Sequence, residues 1–444
     1  MGDRRRSRRP AAALVAAGLA FATAACGSGS GGAGAGDPNT LEVWTRSDPD
    51  SAATYDRVFA AFTRKTGIRI DYQPVINFDQ QLQARASTKD LPDVMINDTA
   101  LMGSYQSQGL LQPVDPDSIA GHAQISAKSW SSTVGLDGKH YGIPYSRQAM
   151  TLMIRTDWLR KLGLKVPRTW QQMLTVAKAF ADRDPDGDGR KDTYGIVAPG
   201  SAQNGYAAWW SAGFLWQGGA RIIEPDGKGG YRPAIDSQAA TRTVTWLKDN
   251  LFCGAKGVLQ PGAVSAVTAT ATNFQDGNAG MYMTGPYNIT TFDGTVGRDK
   301  YAAVPAPAGP AGSDVLAEGE NVYFGARTGK TRQERALAAF LVSPEGQRIA
   351  MTSVDGHQPV VRIPTNTTLD AAEVRGDPRW SVVQKAYESA SRQFPNAPDF
   401  APVKQDTADS LNALFTYCGS DVRSGLKELN DTLAGDLKDQ DLLK

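Results

Sequence analysis

The chain has 444 residues, enough for two or three domain-sized units, and its 41% apolar share allows large cores. The whole chain carries a formal +1, and residues 1–25 hold five Arg and one Asp, so the remainder is mildly acidic at −3 with no basic run. That composition excludes nucleic-acid binding as the main task. The three His (His122, His140, His357) and three Cys (Cys26, Cys253, Cys418) are scattered, and no cluster has zinc-ligand spacing.

At the N-terminus, Arg4, Arg5, Arg6, Arg8 and Arg9 precede an apolar run from Ala11 to Ala22. A basic head, a short apolar stretch and small residues before a cleavage point read as a secretory signal over 1–25. The run is too short to span a bilayer as a permanent helix. Thr23-Ala24-Ala25 leads into Cys26, followed by a Gly/Ser linker over 26–39. This resembles a bacterial lipobox, with Thr23 where that pattern usually has Leu. The resemblance implies a lipidated Cys26 and a protein tethered at the extracellular face of the cytoplasmic membrane; plain cleavage and release is the alternative. Outside the cytoplasm the remaining Cys253 and Cys418 are expected to pair as a disulfide, the alternative being two separate buried thiols.

Residues 40–45 alternate apolar and polar as a strand. Tyr55, Val58, Phe59 and Phe62 recur at helical spacing over 52–65, with Ser51 as the expected N-cap. A second strand at 68–72, a helix over about 78–88 and a third strand at 93–97 complete a parallel α/β unit. In such sheets ligands sit beyond the carboxyl ends of strands, which points at Trp44, Thr45, Arg46, Asn97 and Asp98. Strands follow at 141–146 and 151–155, flanking a lobe crossing, and an amphipathic helix at 170–181. An aromatic stretch over 200–220 reads as strand or helix. Residues 237–250 read as helix, 280–287 as a strand ending in a Gly-Pro turn, and 304–312 as a Pro/Gly loop. Residues 331–343 form another helix, and the chain from 378 onward is mostly helical. No internal repeat is present.

Two constellations carry chemistry. In Asp184–Gly195, Asp184, Asp186, Asp188 and Asp192 fall at positions 1, 3, 5 and 9 of a calcium-type loop. Gly189 falls at the sharp-turn position and Arg190 offers its carbonyl at position 7. Gly195 stands where a bidentate Glu would close the cage, so a lone structural Ca2+ site or a bare charged turn is expected. The second constellation is aromatic: Trp44 and the Trp209-Trp210 pair suit the apolar faces of sugar rings, while carboxylates and amides take hydroxyls. Trp209 and Trp210 are neighbours, on opposite sides of a strand or about 100° apart on a helix, so only one of them is expected to face a ligand. Trp158, Trp170, Trp246 and Trp380 sit on helical patterns and read as core. There is no HExxH, Walker loop or strand-borne GxGxxG. Asp98, Glu318 and Glu320 stand as candidate carboxylates for a glycoside-hydrolysing alternative.

The ordered pieces LEVWTRSD, LPDVMIND, the run Gly109–Asp115, DGKHYGIPYS, MIRTDWLRKLGL, PRTWQQML, GMYMTGPY, AEGENVYF and LVSPEGQ resemble the extracellular solute-binding proteins of bacterial ABC sugar importers, the class that includes maltose-binding protein. The resemblance covers nearly all of the chain after the signal. It implies a two-lobe α/β fold (the type II periplasmic-binding-protein fold), each lobe a mixed, mostly parallel sheet flanked by helices. The expected lobes are 40–146 plus about 290–355, and 147–289 plus about 356–444, with a hinge between. It implies a sugar in the inter-lobe cleft, ABC permease subunits as membrane partners, a monomer, and no enzyme activity. Carried over by position, Trp44, Arg46, Asp98, Tyr145, Gly285, Tyr287, Glu318 and Asn321, with Gly319 beside them, are expected to bind ligand, and the aromatic pair Trp209 and Trp210 joins them in the ligand-binding set. Asn77 departs from the acid or Thr common in that family. Arg46, Arg147 and Arg362 leave open a second alternative, a phosphorylated polyol as cargo.

Overall fold

The computed structural model describes residues 37–268, 272–354 and 356–443. The signal, Cys26 and most of the Gly/Ser linker lie outside them. The strands are β1 Thr40–Thr45, β2 Arg69–Pro74, β3 Val94–Asp98, β4 Ile143–Ala149, β5 Thr151–Arg155, β6 Tyr194–Val197, β7 Ile223–Pro225, β8 Tyr231–Pro233, β9 Ala279–Thr284, β10 Tyr301–Val304, β11 Val315–Phe324, β12 Ile363–Pro364 and β13 Ser391–Arg392. They form a seven-stranded sheet in the order β12-β4-β11-β3-β1-β2, with β13 on β11, and a four-stranded sheet in the order β10-β5-β9-β6. β7 and β8 make a separate hairpin. This is the expected two-lobe α/β architecture with each sheet flanked by helices, but the sheets are mixed and not mostly parallel: β11 runs antiparallel to β3 and β4, and β5 antiparallel to β9 and β10.

The first lobe is built by strand parity. Leu41 and Val43 of β1, Val94 and Ile96 of β3, and Val322 and Phe324 of β11 face one core. Trp44, Met95 and Tyr323, one residue out of step, face the other. The helix Pro49–Thr66 lays Tyr55, Val58, Phe59 and Phe62 on the first of these cores. Its cap is Asp48, whose carboxylate accepts from the Ser51 N–H at 2.8 Å. Ser51 is therefore the capped residue, not the cap, because Pro49 at the first turn moves the start upstream.

The second sheet is likewise covered on both faces. Leu152, Ile154, Ile196 and Met281 face one core, and Met153, Val197 and Tyr282 the other. The C-terminal helices Phe400–Thr416 and Val422–Asp439 belong to the former core. A disulfide joins Cys253 to Cys418, Cα to Cα 5.7 Å, at the end of the first of those helices. The aromatic stretch is a helix, Tyr206–Gln217, buried almost all round. Among the described residues no helix is long and apolar enough to cross a membrane.

Among the described residues the chain changes sheets twice and its last helices then return to the second lobe's core; the ladders place those passages differently from the expected 146/147, 290 and 355. β4 stays in the first sheet to its end, Ala149 opposite Ala317. β10 pairs with β5, so the second lobe runs on through Val304. Val360 and Val361 pack in the first core, and Ile363 pairs with Arg147, so the last return lies beyond β12.

Candidate functional site

Between the lobes lies a cavity of about 640 Å³. Arg46 and Asp98 reach it from just beyond β1 and at the end of β3, as the strand-end rule requires. Asp48, Tyr55, Glu320 and Arg362 complete the first-lobe wall; Ser146, Gln148, Glu318 and Gly319 form the floor on β4 and β11; Asn204, Tyr206, Trp209, Tyr287 and Lys404 come from the second lobe. Gly319 has a steric reason. A Cβ there would lie 2.1 Å from the Ser146 carbonyl oxygen, so only glycine lets β11 run this close to β4.

Glu318 and Glu320, two apart on β11, share the cleft face. The Trp209 indole N–H donates to Glu318 Oε1 at 2.8 Å, and Gln148 Nε2 donates to Oε2 at 3.3 Å. Burial, followed by the charge of Asp98, pushes the Glu318 carboxyl up to about 7, against the pull of those two donors. The Tyr55 hydroxyl donates to Glu320 Oε2 at 3.2 Å. Burial raises that carboxyl too, while Arg46 and Arg362 pull it back. Arg46 stands 3.7 Å from Asp98. Burial alone would lower Arg46, but the charges of Asp98, Glu320 and Glu318 hold it above its ordinary value. Burial lowers Arg362, which donates to the Pro359 carbonyl. On the far wall the Thr284 hydroxyl donates to Tyr287 Oη at 3.2 Å, and Thr268 to Tyr206 Oη at 3.1 Å. Tyr206 meets Trp209 edge to face, centroids 6.5 Å apart.

Of the residues selected from sequence, Arg46, Asp98, Trp209, Tyr287, Glu318 and Gly319 line this cavity. Five do not. Trp44 falls on the back face of its sheet, edge-on to Phe78 at 5.9 Å, under the Arg85 guanidinium, with its N–H on Glu42 at 2.9 Å. Tyr145 is fully buried in the first core, 6.3 Å from the Tyr55 ring. Trp210, about 100° round the helix from Trp209, packs on Phe214 at 4.9 Å and Phe252 at 6.0 Å. Asn321 is turned inward past a register shift in β11, where its Oδ1 accepts from Arg147 at 2.9 Å. Gly285 makes room for the Tyr287 ring, which a Cβ would meet at 2.4 Å. Arg147 is also structural: fully buried, it donates to Ser146, Glu320, Ser129, Ser132 and Asn321. The sequence offered no signal for Gln148, Asn204 or Lys404, because a helix or loop delivers the latter two from distant chain and nothing local marks them.

The Asp-rich loop stands apart on the second lobe. Candidate ligand oxygens of Asp184, Asp186 and Asp188 lie within 4.8 Å of one another. Asp184 accepts from the Gly187 and Gly189 N–H groups at 2.9 and 3.2 Å, and Asp188 from Arg190 N–H at 2.8 Å. Gly187 and Gly189 have φ of 88° and 86°, a turn that curls the carboxylates inward. Asp192 borders the same hollow as Asp186 and Asp188. The Asp186 carboxyl is pushed up by burial, by its hydrogen bond with Asp184 and by the charge of Asp188. Such carboxylate crowding fits a hard cation. Gly195, packed on Ala177 in β6, closes no cage.

Residues 47–348 match the model of the bacterial extracellular solute-binding protein family, and the chain belongs to that family. It is 29% identical over 240 residues to the polygalacturonan/rhamnogalacturonan-binding protein of Bacillus subtilis (51% of this chain, 46% of that one). It is 28% identical over 185 residues to the fructooligosaccharide ABC transporter substrate-binding protein of Streptococcus pneumoniae (35% and 33%). The chain spans about half the length, or less, of these curated relatives. In fold it resembles the GacH receptor of Streptomyces glaucescens, solved unliganded and with acarbose: TM-score 0.71, 19% identity, 90% of this chain and 98% of that one. It also resembles maltose-bound MalE3 of T. maritima: TM-score 0.72, 18% identity, 90% and 100%.

Proposed function

We propose that the chain is the extracellular substrate-binding component of an ABC importer, which captures a mono- or oligosaccharide by closing its lobes and hands it to membrane permease subunits. The observation that carries this is Trp209 at the cleft, its N–H spent on Glu318 while the residue lines the cavity. Around it stand four carboxylates (Asp48, Asp98, Glu318, Glu320) and three cations (Arg46, Arg362, Lys404), a nearly balanced set. Such a wall suits neutral hydroxyls, which both donate and accept. With Arg147 locked inside, the cleft keeps three cations against four carboxylates, Arg46 standing 3.7 Å from Asp98, which disfavours a phosphorylated cargo. Both lobes contribute to the wall, so ligand favours the closed form by its differential affinity for it. Affinity near micromolar, about −8 kcal/mol, suits capture followed by release. The same reading includes a lipid anchor at Cys26, a monomer at the outer face of the membrane, binding without turnover, and a structural Ca2+ held by Asp184, Asp186, Asp188 and Asp192 with the Arg190 carbonyl.

A thermal-shift and Trp-fluorescence screen against mono- and oligosaccharides tests it. A saccharide that raises Tm and changes emission is expected. A broad panel that moves neither removes the sugar assignment. Product accumulating beyond one equivalent would instead favour the hydrolase.

A further inference from the structure

A second cavity, of about 560 Å³, opens beside the hinge. Ala317 lines it while its neighbour Glu318 lines the cleft, so the two cavities lie on opposite faces of β11. Its walls come from both lobes: Lys128 and Ser132 from the first, Trp216 and Arg221 from the second, with Arg392 of β13 and Phe394 just beyond it.

The charges here do not balance. Arg392 is paired with Asp314, and Glu224, on the rim, is paired with Arg232. Lys128 Nζ donates to neutral acceptors, the Ser391 carbonyl at 3.2 Å and hydroxyl at 3.0 Å among them. Arg221 donates to the Ala220 carbonyl at 2.7 Å, and among the described residues no carboxylate forms an ion pair with it. Burial, reinforced by the Arg392 charge, pulls both Lys128 and Arg221 below their ordinary values, with Asp314 opposing. The Gln393 amide nitrogen is buried without an acceptor. Beside these donors Trp216 and Phe394 meet edge to face at 5.9 Å. A buried donor and an unpaired guanidinium ask for an acceptor carrying negative charge, and the rings ask for an apolar body.

We propose that this cavity binds a small organic oxyanion, a carboxylate or phosphate group on an apolar ring, with Arg221 as its charge partner. The proposal is independent of what occupies the cleft. It is tested by calorimetry and thermal shift on the whole protein at low salt with phenyl phosphate, benzoate and inorganic phosphate, against sodium chloride at matched ionic strength. Phenyl phosphate or benzoate is expected to bind and raise Tm beyond chloride, and to exceed inorganic phosphate at least tenfold in affinity. Which of the two binds more tightly separates phosphate from carboxylate as the natural group. Arg221→Gln should weaken binding at least tenfold, as loss of a charge-assisted bond does. Gln393→Leu, which keeps every charge, should weaken it severalfold and serves if Arg221→Gln fails to fold. No binding beyond chloride overturns the proposal. So does binding unchanged in both variants, or inorganic phosphate binding as tightly as phenyl phosphate.

Discussion

Replacing Glu318 by Gln tests a cleft carboxyl whose proton is held into the neutral range. Its pKa is about 7 in the folded chain against 4.5 for the ordinary group. At 1.36 kcal/mol per pH unit the difference corresponds to about 3–4 kcal/mol at most. Glu318 lines an open cleft, so water reduces that to about 1–2 kcal/mol. The sign follows from proton counting. Between the two values the folded state binds more protons than the unfolded one, so stability falls as pH rises. The favourable contribution is fully present below about 4.5 and is lost as pH climbs through about 7. Gln keeps a carbonyl oxygen for the Trp209 N–H and has nothing to titrate. Urea unfolding at pH 5, 6, 7 and 8 should therefore show the variant gaining on the parent by about 1–2 kcal/mol between pH 5 and 8. Parallel pH profiles for the two proteins would refute the reasoning.

Trp209→Ala should weaken saccharide binding by about 1 kcal/mol or more, roughly fivefold to tenfold, read by titration calorimetry. Trp44→Phe should leave that affinity unchanged while lowering urea stability, because the indole serves the back of its sheet. Cys253→Ser should cost about 2–4 kcal/mol in unfolding free energy, and reductant should bring the parent down to the variant's level. Chelation should lower Tm by a few degrees, with calcium restoring it. Asp186→Asn should be insensitive to both treatments.

The α/β order of the first lobe was legible because each strand and helix there carries its own periodicity. Tyr55, Val58, Phe59 and Phe62 announce a helix, and the alternation of residues 40–45 announces a strand. What sequence could not carry was which parity faces the ligand. Trp44 and Arg46 are two apart, yet the strand ends at Thr45 and the chain turns, so spacing no longer fixes direction. Trp209 and Trp210 posed the same question, and only the packing of Phe214 and Phe252 on Trp210 answers it. Glu320 could be found from Glu318 by period two. Lys404 could not, since the helix Phe400–Thr416 reaches the cleft only through tertiary packing. The lobe boundaries failed for a related reason. β10 carries an ordinary strand pattern, and nothing in Tyr301–Val304 says that its partner is Arg155 through Leu152.

Because the second lobe draws on residues before β11 and again after β12, it is finished only when the last helices emerge. During synthesis the nascent polypeptide therefore holds half a hydrophobic nucleus with no lid, waiting on Leu426, Leu429 and Leu433. Such late, long-range closure folds slowly.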